Sequence, residues 1–144
     1  NLARIECEEN YRHYKDGITP MIAKFLEKLD KERIALANYF NCPMPNAKDW
    51  LSDVYGSEGI HLYSALQNTS QYDEIGSPTD ITTRYIYEDI PTGIVPMLEL
   101  AKLAGTPHKY LQLVLDIANS LYGIDFREIG RNDVSAFFDQ YRPR

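Results

Sequence analysis

The hydrophobic and polar positions of this chain repeat with helical spacing. The regular stretches begin after Thr19-Pro20 and after Thr106-Pro107, where a threonine can cap the helix and proline fits its first turn. Apolar residues three or four positions apart then lie on one face of each predicted helix. The second stretch has the clearest stripe, formed by Leu111, Val114, Leu115, Ala118, Leu121 and Tyr122. Because no stretch alternates with the period of two that a strand requires, we predict an all-α bundle of about seven or eight helices.

Shorter elements are predicted between and before these helices. A helix over residues 2–15 is expected to end at Gly17, and a second begins where Asn46 and Asp49 resemble a capping box. Trp50 in that helix is expected to lie in the core. The polar face of the helix after Pro20 carries charges of both signs and is expected to be solvated. Its members are Lys24, Glu27, Lys28, Lys31 and Glu32.

Length and charge limit the class of protein. At 144 residues, with 44% hydrophobic and 25% charged residues, we expect one helical domain over residues 1–144. A net charge of −6 argues against a nucleic-acid partner. No apolar run approaches the roughly 18 residues of a membrane span, and no signal-peptide pattern is present. We therefore expect a cytoplasmic protein without membrane contact, and the start at Asn1 rather than Met suggests a fragment or a processed product.

The residue types that hold metals and nucleotides are sparse. Cys7 and Cys42 form no CxxC pair and are expected to be reduced. His13, His61 and His108 lack the close spacing of zinc ligands, so no metal site is predicted. Neither a GxGxxG nor a GxxxxGK[ST] motif occurs. No cofactor-binding residue is therefore assigned in this chain.

The candidate chemistry lies in residues 84–96, which place charged side chains, two prolines and a glycine within an apolar run. Pro91 disfavours the α conformation at Ile90, and Pro96 has no backbone N–H, so the chain is predicted to bend or restart a helix just after Asp89. Free amides at a helix N-terminus would keep the Asp89 carboxylate ionised and fix its direction. A carboxylate held in this way can orient a histidine.

Arg84 lies five residues before Asp89 and can bind a substrate carboxylate with its planar guanidinium. A purely structural alternative exists for both residues. Asp89 would then be a helix cap, and Arg84 would pair with Glu88 at the i, i+4 spacing.

Residues 84–96, 98–105 and 122–131 together resemble the helical C-terminal domain of the opine dehydrogenases, the octopine/nopaline dehydrogenase family. Residues 1–6 resemble the segment after the family's catalytic His-Pro motif, and residues 14–24 resemble the helix entry that follows. The resemblance covers nearly the whole chain. Its most specific part is the arginine followed by the Glu-Asp-hydrophobic-Pro step at residues 88–91.

The resemblance implies an NAD- or NADP-dependent enzyme of two domains. In this family a Rossmann domain holds the cofactor, and the helical domain closes over it. The enzyme joins the amino group of an amino acid to an α-keto acid and reduces the resulting imine. The Rossmann domain is expected upstream and is absent from this chain, which is therefore expected to be inactive alone. The implied partners are this domain, an amino acid and an α-keto acid, and the protein can be a homodimer.

The resemblance also assigns residues. Asp89 matches the catalytic carboxylate that partners the family's histidine, and Arg84 matches the arginine that binds a substrate carboxylate. The histidine itself would lie just before Asn1, so none of the histidines in this chain inherits its role. Glu88 competes with Asp89, and the family pattern favours Asp89. Gly93 is expected either to be structural or to allow close packing or the approach of a ligand.

Two alternatives come from other classes. A stand-alone helical binding module would need Arg84 and Asp89 only as structural residues, and a two-domain hydroxy-acid dehydrogenase also has an all-helical C-terminal domain. A glycine-rich βαβ fingerprint and a His-Pro encoded upstream of Asn1 would favour the opine dehydrogenase over the binding module. Product analysis with and without an amino acid would separate the two enzymes.

Overall fold

The computed structural model describes residues 1–143, and the regular elements in this range are helical. The all-α prediction is confirmed. Two of the α-helices, α5 (Arg84–Tyr87) and α8 (Phe126–Ile129), are single turns of four residues. Without these two turns, the described residues contain seven α-helices, in agreement with the predicted seven or eight. A 3-10 turn at Ser70–Tyr72 and a π-helical turn at Ile90–Ile94 complete the elements. The α-helices are α1 (Leu2–Glu6), α2 (Pro20–Tyr39), α3 (Ala47–Tyr55), α4 (Leu62–Asn68), α5 (Arg84–Tyr87), α6 (Val95–Ala104), α7 (Lys109–Tyr122), α8 (Phe126–Ile129) and α9 (Ser135–Tyr141).

The chain divides into two units of dense internal contact. The first unit comprises Asn1–Asp30 and Pro45–Thr83, and the second comprises Lys31–Met44 and Arg84–Arg144. The long helix α2 contributes residues to both. The single domain expected over residues 1–144 stays a prediction.

The core of the first unit lies between α3 and α4. Leu51 of α3 packs with Leu62, Ala65 and Leu66 of α4, and all four side chains are buried. Aromatic and aliphatic side chains cover this cluster because one face of each short helix is apolar. They include Tyr14, Ile18, Leu26, Tyr55 and Tyr72.

Tyr72 is an ionisable group at this core whose burial gives stability a pH dependence. Its ring stacks on Tyr14 at 4.2 Å and meets Tyr55 edge-on at 5.5 Å. Burial, and then these neighbouring phenols, raises the pKa of Tyr72 to about 12. A phenol in the unfolded chain ionises near pH 10. The contribution of Tyr72 to stability is therefore fully present below pH 10 and is lost as the pH rises from about 10 to 12.

We expect the free energy of unfolding to fall over this alkaline range more steeply in the wild type than in Tyr72→Phe. Urea unfolding at a series of pH values, with tyrosinate absorbance as a second signal, measures the difference. Equal slopes for the two proteins would show that Tyr72 ionises as it does in the unfolded chain.

The second unit is built around α6, α7 and α8. Phe126 at the start of α8 is fully buried, as are the inward residues of α6 and α7. These inward residues are Val95, Leu98, Ala101, Leu111 and Leu115. The apolar stripe predicted for α7 is thus confirmed at its central positions, whereas Leu121 is exposed.

Three carboxylates of α2 cap the N-termini of other helices. In the first unit, Glu27 accepts a hydrogen bond from the backbone N–H of Leu62 (2.8 Å), and Asp30 accepts one from Ala47 (2.8 Å). In the second unit, Glu32 is 4% exposed and accepts hydrogen bonds from the N–H groups of Tyr110 and Leu111, each at 2.9 Å. Helix N-termini have unpaired N–H groups, which carboxylates satisfy well. The prediction of a solvated face was therefore wrong for Glu32.

The start of α7 also differs from the prediction, because Glu32 caps it from another part of the chain. The helix begins at Lys109 rather than beside Pro107, and its N-cap residue, His108, makes no side-chain cap bond. The Thr106 hydroxyl has no hydrogen-bond partner among the described residues. Glu32, distant in sequence, takes the place of the local cap.

Three further predictions in the first unit were wrong. The helix expected over residues 2–15 ends at Glu6, because Glu8 adopts a left-handed backbone conformation (φ 55°) that breaks an α-helix. Gly17, expected as a left-handed cap, is not among the residues with positive φ. Trp50 is 42% exposed on α3, with its ring edge-on to Tyr55, and so is not a core residue. By contrast, Asn46 caps α3 as predicted, accepting a hydrogen bond from the N–H of Asp49.

Candidate functional site

Arg84 and Asp89 lie on one short exposed stretch of the second unit. Arg84 is the first residue of α5, and Asp89 is the N-cap residue of the π-turn, Ile90–Ile94. Both side chains are exposed. The Arg84 guanidinium carbon lies 5.9 Å from the ring centre of Tyr85. Within residues 1–143 neither charged group makes a hydrogen bond or an ion pair, so both remain available to a ligand.

The alternative in which Asp89 caps a helix and Arg84 pairs with Glu88 does not agree with the structure. Glu88 and Arg84 have the predicted i, i+4 spacing, and their backbones share a helical hydrogen bond of 2.8 Å. Their side chains nevertheless form no ion pair in the described part of the chain. Asp89 has a helical backbone (φ −71°, ψ −32°) and makes no side-chain cap bond. Neither charge is therefore needed for the local fold.

The chain was predicted to bend or restart a helix just after Asp89, but the helical hydrogen bonds continue past Asp89 and pass into a π-turn. Ile90 was expected to leave the helical region, and that expectation was wrong, because Ile90 is the first residue of the π-turn. Its carbonyl accepts a hydrogen bond from the N–H of Val95, five residues on. Pro91 fits the first turn because its missing N–H would be unpaired there in any case.

The backbone beside Asp89 is fixed by Thr92. The carbonyl of Glu88 accepts hydrogen bonds from the N–H of Thr92 (3.0 Å) and from its hydroxyl (2.7 Å). Such back-bonding by a threonine bends a helix. The two hydrogen bonds between Thr92 and Glu88 therefore hold the backbone on both sides of Asp89, whose carboxylate is exposed.

Aromatic contacts hold the end of α5. The Tyr87 ring meets Tyr122 edge-on at 5.7 Å and Phe126 at 5.8 Å. Just beyond, the N–H of Arg131 donates a hydrogen bond to the carbonyl of Pro91 (2.9 Å). Two of the segments singled out in the sequence, residues 84–96 and 122–131, are therefore in contact.

The three histidines have local partners or neighbours. His61 caps α4, its Nδ1 accepting a hydrogen bond from the N–H of Ser64 (3.1 Å). His108 Nδ1 lies 2.7 Å from the carbonyl oxygen of Thr106. Burial lowers the pKa of His13, and so does the positive charge at Asn1. His61 is thus a helix cap, and His108 contacts the carbonyl two residues before it.

The described residues can be compared with the sites that bind dinucleotides and metal ions in other proteins. A dinucleotide-binding turn joins a strand to a helix, and residues 1–143 contain only an isolated bridge between Arg12 and Gly76. The described residues thus do not fit a dinucleotide site of that kind. They also contain no group of three or more histidines, cysteines and acids placed to hold a metal ion. None of the described helices is both long enough and apolar enough to span a membrane.

The sequence did not determine the role of Gly93 or predict the π-turn. A side chain at Gly93 would meet nothing within 4 Å, so close packing within this chain does not require glycine. The approach of a ligand there stays a prediction. The π-turn itself was missed, although its signal is present in two prolines five residues apart, Pro91 and Pro96.

Comparisons with known proteins agree with this architecture. Residues 1–122 match the family model described as NAD/NADP octopine/nopaline dehydrogenase, alpha-helical domain. An opine dehydrogenase of Arthrobacter sp. (strain 1C) is 38% identical over 131 residues, which are 91% of this chain and 36% of that protein. A vitopine synthase of Allorhizobium ampelinum (strain ATCC BAA-846 / DSM 112012 / S4) is 22% identical over 120 residues, or 83% of this chain and 33% of that protein. The chain thus spans about a third of the length of these relatives.

Solved structures show the same fold. Octopine dehydrogenase with NADH and L-arginine superposes with a TM-score of 0.68 at 22% identity, over 88% of this chain and 37% of that one. Its complex with NADH and agmatine gives a TM-score of 0.66 at 22% identity, over 85% and 36% of the two chains. By its sequence match and its fold, the chain belongs to the octopine/nopaline dehydrogenase family, of which it represents the α-helical domain.

Proposed function

We propose that this chain is the substrate-binding part of an NAD(P)H-dependent opine dehydrogenase-like enzyme, which reductively condenses an amino acid with an α-keto acid. The observation that carries the proposal is that the charged groups of Arg84 and Asp89 have no role in holding the fold together. Both are exposed and lack ionic partners within residues 1–143, at positions where the fold needs neither charge. Both charges are thus free to serve a ligand, and they stand at the positions that match the family's motif.

Arg84 binds the carboxylate that both substrate classes carry. A guanidinium can donate two parallel hydrogen bonds to a carboxylate, which fixes the orientation of the substrate as well as its affinity. Tyr85 lies under one side of the guanidinium group. This contact limits the directions that the side chain can adopt and prepares it for one geometry of binding.

Asp89 orients the family's histidine and stabilises its protonated form. Condensation of an amine with a carbonyl requires proton transfers near neutral pH, which a histidine performs well when a carboxylate holds it in one tautomer. Asp89 has no competing hydrogen bond within the described residues and can therefore serve an imidazole supplied from outside residues 1–143. Glu88 makes no such contact in this proposal, because adjacent residues in a helical turn point in different directions.

The cofactor and the histidine belong to the part of the enzyme outside this chain. NAD(P)H supplies the hydride when bound, and we place its site in a Rossmann domain because the described residues contain no strand-turn-helix for it. We propose a cytoplasmic enzyme whose two domains close over an amino acid and an α-keto acid. The solved relatives in complex with L-arginine and with agmatine support a cleft for a small amine-bearing substrate.

Replacement of Arg84 by lysine tests the proposed binding role. In the complete enzyme, Arg84→Lys keeps the charge and loses the planar fork, so we expect KM for the carboxylate-bearing substrate to rise at least about 30-fold, which is about 2 kcal/mol. The KM for the cofactor should stay unchanged. Steady-state kinetics with each substrate varied in turn measures the effect.

Arg142→Lys is the matched control, because Arg142 is also exposed and makes only a long 3.7 Å contact with Asp139. It should leave all kinetic constants unchanged. Normal kinetics for a folded Arg84→Lys enzyme would remove Arg84 from the substrate site.

A further inference from the structure

We propose that the loop at Gly130-Arg131 is a lock that holds the π-turn in its register and thereby sets the direction of the Asp89 carboxylate. The inference rests on the proposed function of Asp89 and adds positioning residues to it. Both lock residues lie beyond residues 1–122, the part of the chain that the family model matches.

The need for a lock follows from the hydrogen bonds of the π-turn. In an α-helix the carbonyl of Pro91 would accept from the N–H of Val95, but that N–H is donated to Ile90 instead. In the π register the carbonyl of Pro91 would accept from residue 96, and Pro96 has no N–H to donate. Pro91 is buried, so its carbonyl is left without a partner from its own helix. A buried carbonyl in this position requires a donor from elsewhere.

Arg131 provides that donor, and Gly130 allows it to come close. The N–H of Arg131 lies 2.9 Å from the carbonyl oxygen of Pro91. A Cβ atom at Gly130 would lie 2.8 Å from the same oxygen and 2.6 Å from the carbonyl oxygen of Phe126. Both distances are shorter than carbon can tolerate against backbone, so any side chain at residue 130 would push the loop away from the π-turn.

The loop is itself held firmly. Phe126, just before it, is fully buried, and its N–H donates to the side-chain oxygen of Asn119 (3.1 Å). The side chain of Asn132, just after it, donates to the carbonyl of Arg127 (2.8 Å). Arg127 Nε in turn lies 2.8 Å from a carboxylate oxygen of Glu99 on α6. The donor is therefore presented by a rigid element rather than by a free loop.

Loss of the lock would change the direction of Asp89. A π-turn holds one residue more than a turn of α-helix. If the turn relaxed to the α register, the backbone that precedes Ile90 would rotate by about 100° relative to α6. Asp89 is the residue at which this rotation begins. Its carboxylate would then point away from the histidine that it serves, although its chemistry would be unchanged.

Gly130→Ala in the complete enzyme tests the lock. We expect kcat to fall at least about 10-fold with cofactor KM unchanged, and the histidine limb of the pH profile to move to lower pH, in the same direction as in Asp89→Asn. Because the lock acts through Asp89, adding Gly130→Ala to Asp89→Asn should cause little further loss. Gly76→Ala is the matched control, since a Cβ there meets nothing within 4 Å, and it should be silent.

A second variant covers the case in which Gly130→Ala does not fold. An amide-to-ester change at residue 131 replaces the donated N–H by an oxygen without adding a side chain, and it also weakens the Gly130 carbonyl as an acceptor for the N–H of Asn132. It should give the same kinetic changes. Hydrogen exchange gives a readout independent of activity. The Arg131 amide, which donates to the Pro91 carbonyl in the wild type, should exchange at least about 10-fold faster in Gly130→Ala.

The outcomes separate the lock from the proposed function. If Asp89→Asn lowers kcat while the Gly130 and ester variants keep normal kcat and pH profile, the lock is overturned and the function of Asp89 stands. If Asp89→Asn has near-normal kcat, the function of Asp89 is overturned. Unchanged protection of the Arg131 amide in Gly130→Ala overturns the lock whatever the activity shows.

Discussion

Asp89→Asn is expected to lower kcat of the complete enzyme by about two to four orders of magnitude while leaving its stability nearly unchanged. The Asp89 side chain is exposed and makes no cap bond, so the folded chain loses no contact when the carboxylate becomes an amide. In the proposed mechanism, in contrast, the histidine loses the negative charge that orients it and stabilises its protonated form. Steady-state kinetics and thermal unfolding of the same preparation measure both effects.

The pH profile gives this prediction a sign. A carboxylate raises the pKa of the histidine beside it, so its removal lowers that pKa and moves the corresponding limb to lower pH. Glu88→Gln is the matched control, because Glu88 is the adjacent exposed carboxylate and should change neither kcat nor the limb. A folded Asp89→Asn enzyme with near-normal kcat would mean that another group holds the histidine.

Glu32→Ala is expected to lower the free energy of unfolding by about 3 kcal/mol. The carboxylate is buried and receives the N–H groups of Tyr110 and Leu111 at the start of α7. Its removal leaves these donors without a partner and also leaves a cavity. Chemical unfolding followed by helical circular dichroism measures the loss.

Two further variants serve as comparisons for Glu32→Ala. Glu32→Gln keeps the size and one acceptor oxygen but loses the charge, so it should cost less than the alanine variant, about 1 to 2 kcal/mol. Glu6→Ala removes an exposed carboxylate at the end of α1 and should be nearly neutral. A loss below about 1 kcal/mol for Glu32→Ala would mean that water satisfies the start of α7 equally well.

The helices could be predicted from the sequence because their signals are local. Apolar residues at helical spacing place α2 and α7, Asn46 places the start of α3, and the left-handed glycines at 105 and 123 end α6 and α7. Each signal lies within one turn of the element that it marks. The resemblance to the opine dehydrogenases added the fold, which the solved structures confirm.

The long-range contacts could not be predicted in the same way. The carboxylate of Glu32 looks identical in sequence to its solvated neighbours on α2, and only the fold brings it to α7. The register of the π-turn likewise depends on a donor at Arg131 and on the absence of a side chain at Gly130. The positions of Arg84 and Asp89 could be read from the motif, but their lack of structural partners required the structure.

The most direct test of the proposed function is product analysis with the complete enzyme. NAD(P)H oxidation is measured with an α-keto acid alone, with an amino acid alone and with both, and the product is identified by mass spectrometry. We predict oxidation only with both substrates and a product that joins their carbon skeletons through a secondary amine. Oxidation with the keto acid alone, giving a hydroxy acid and no condensed product, would contradict the account.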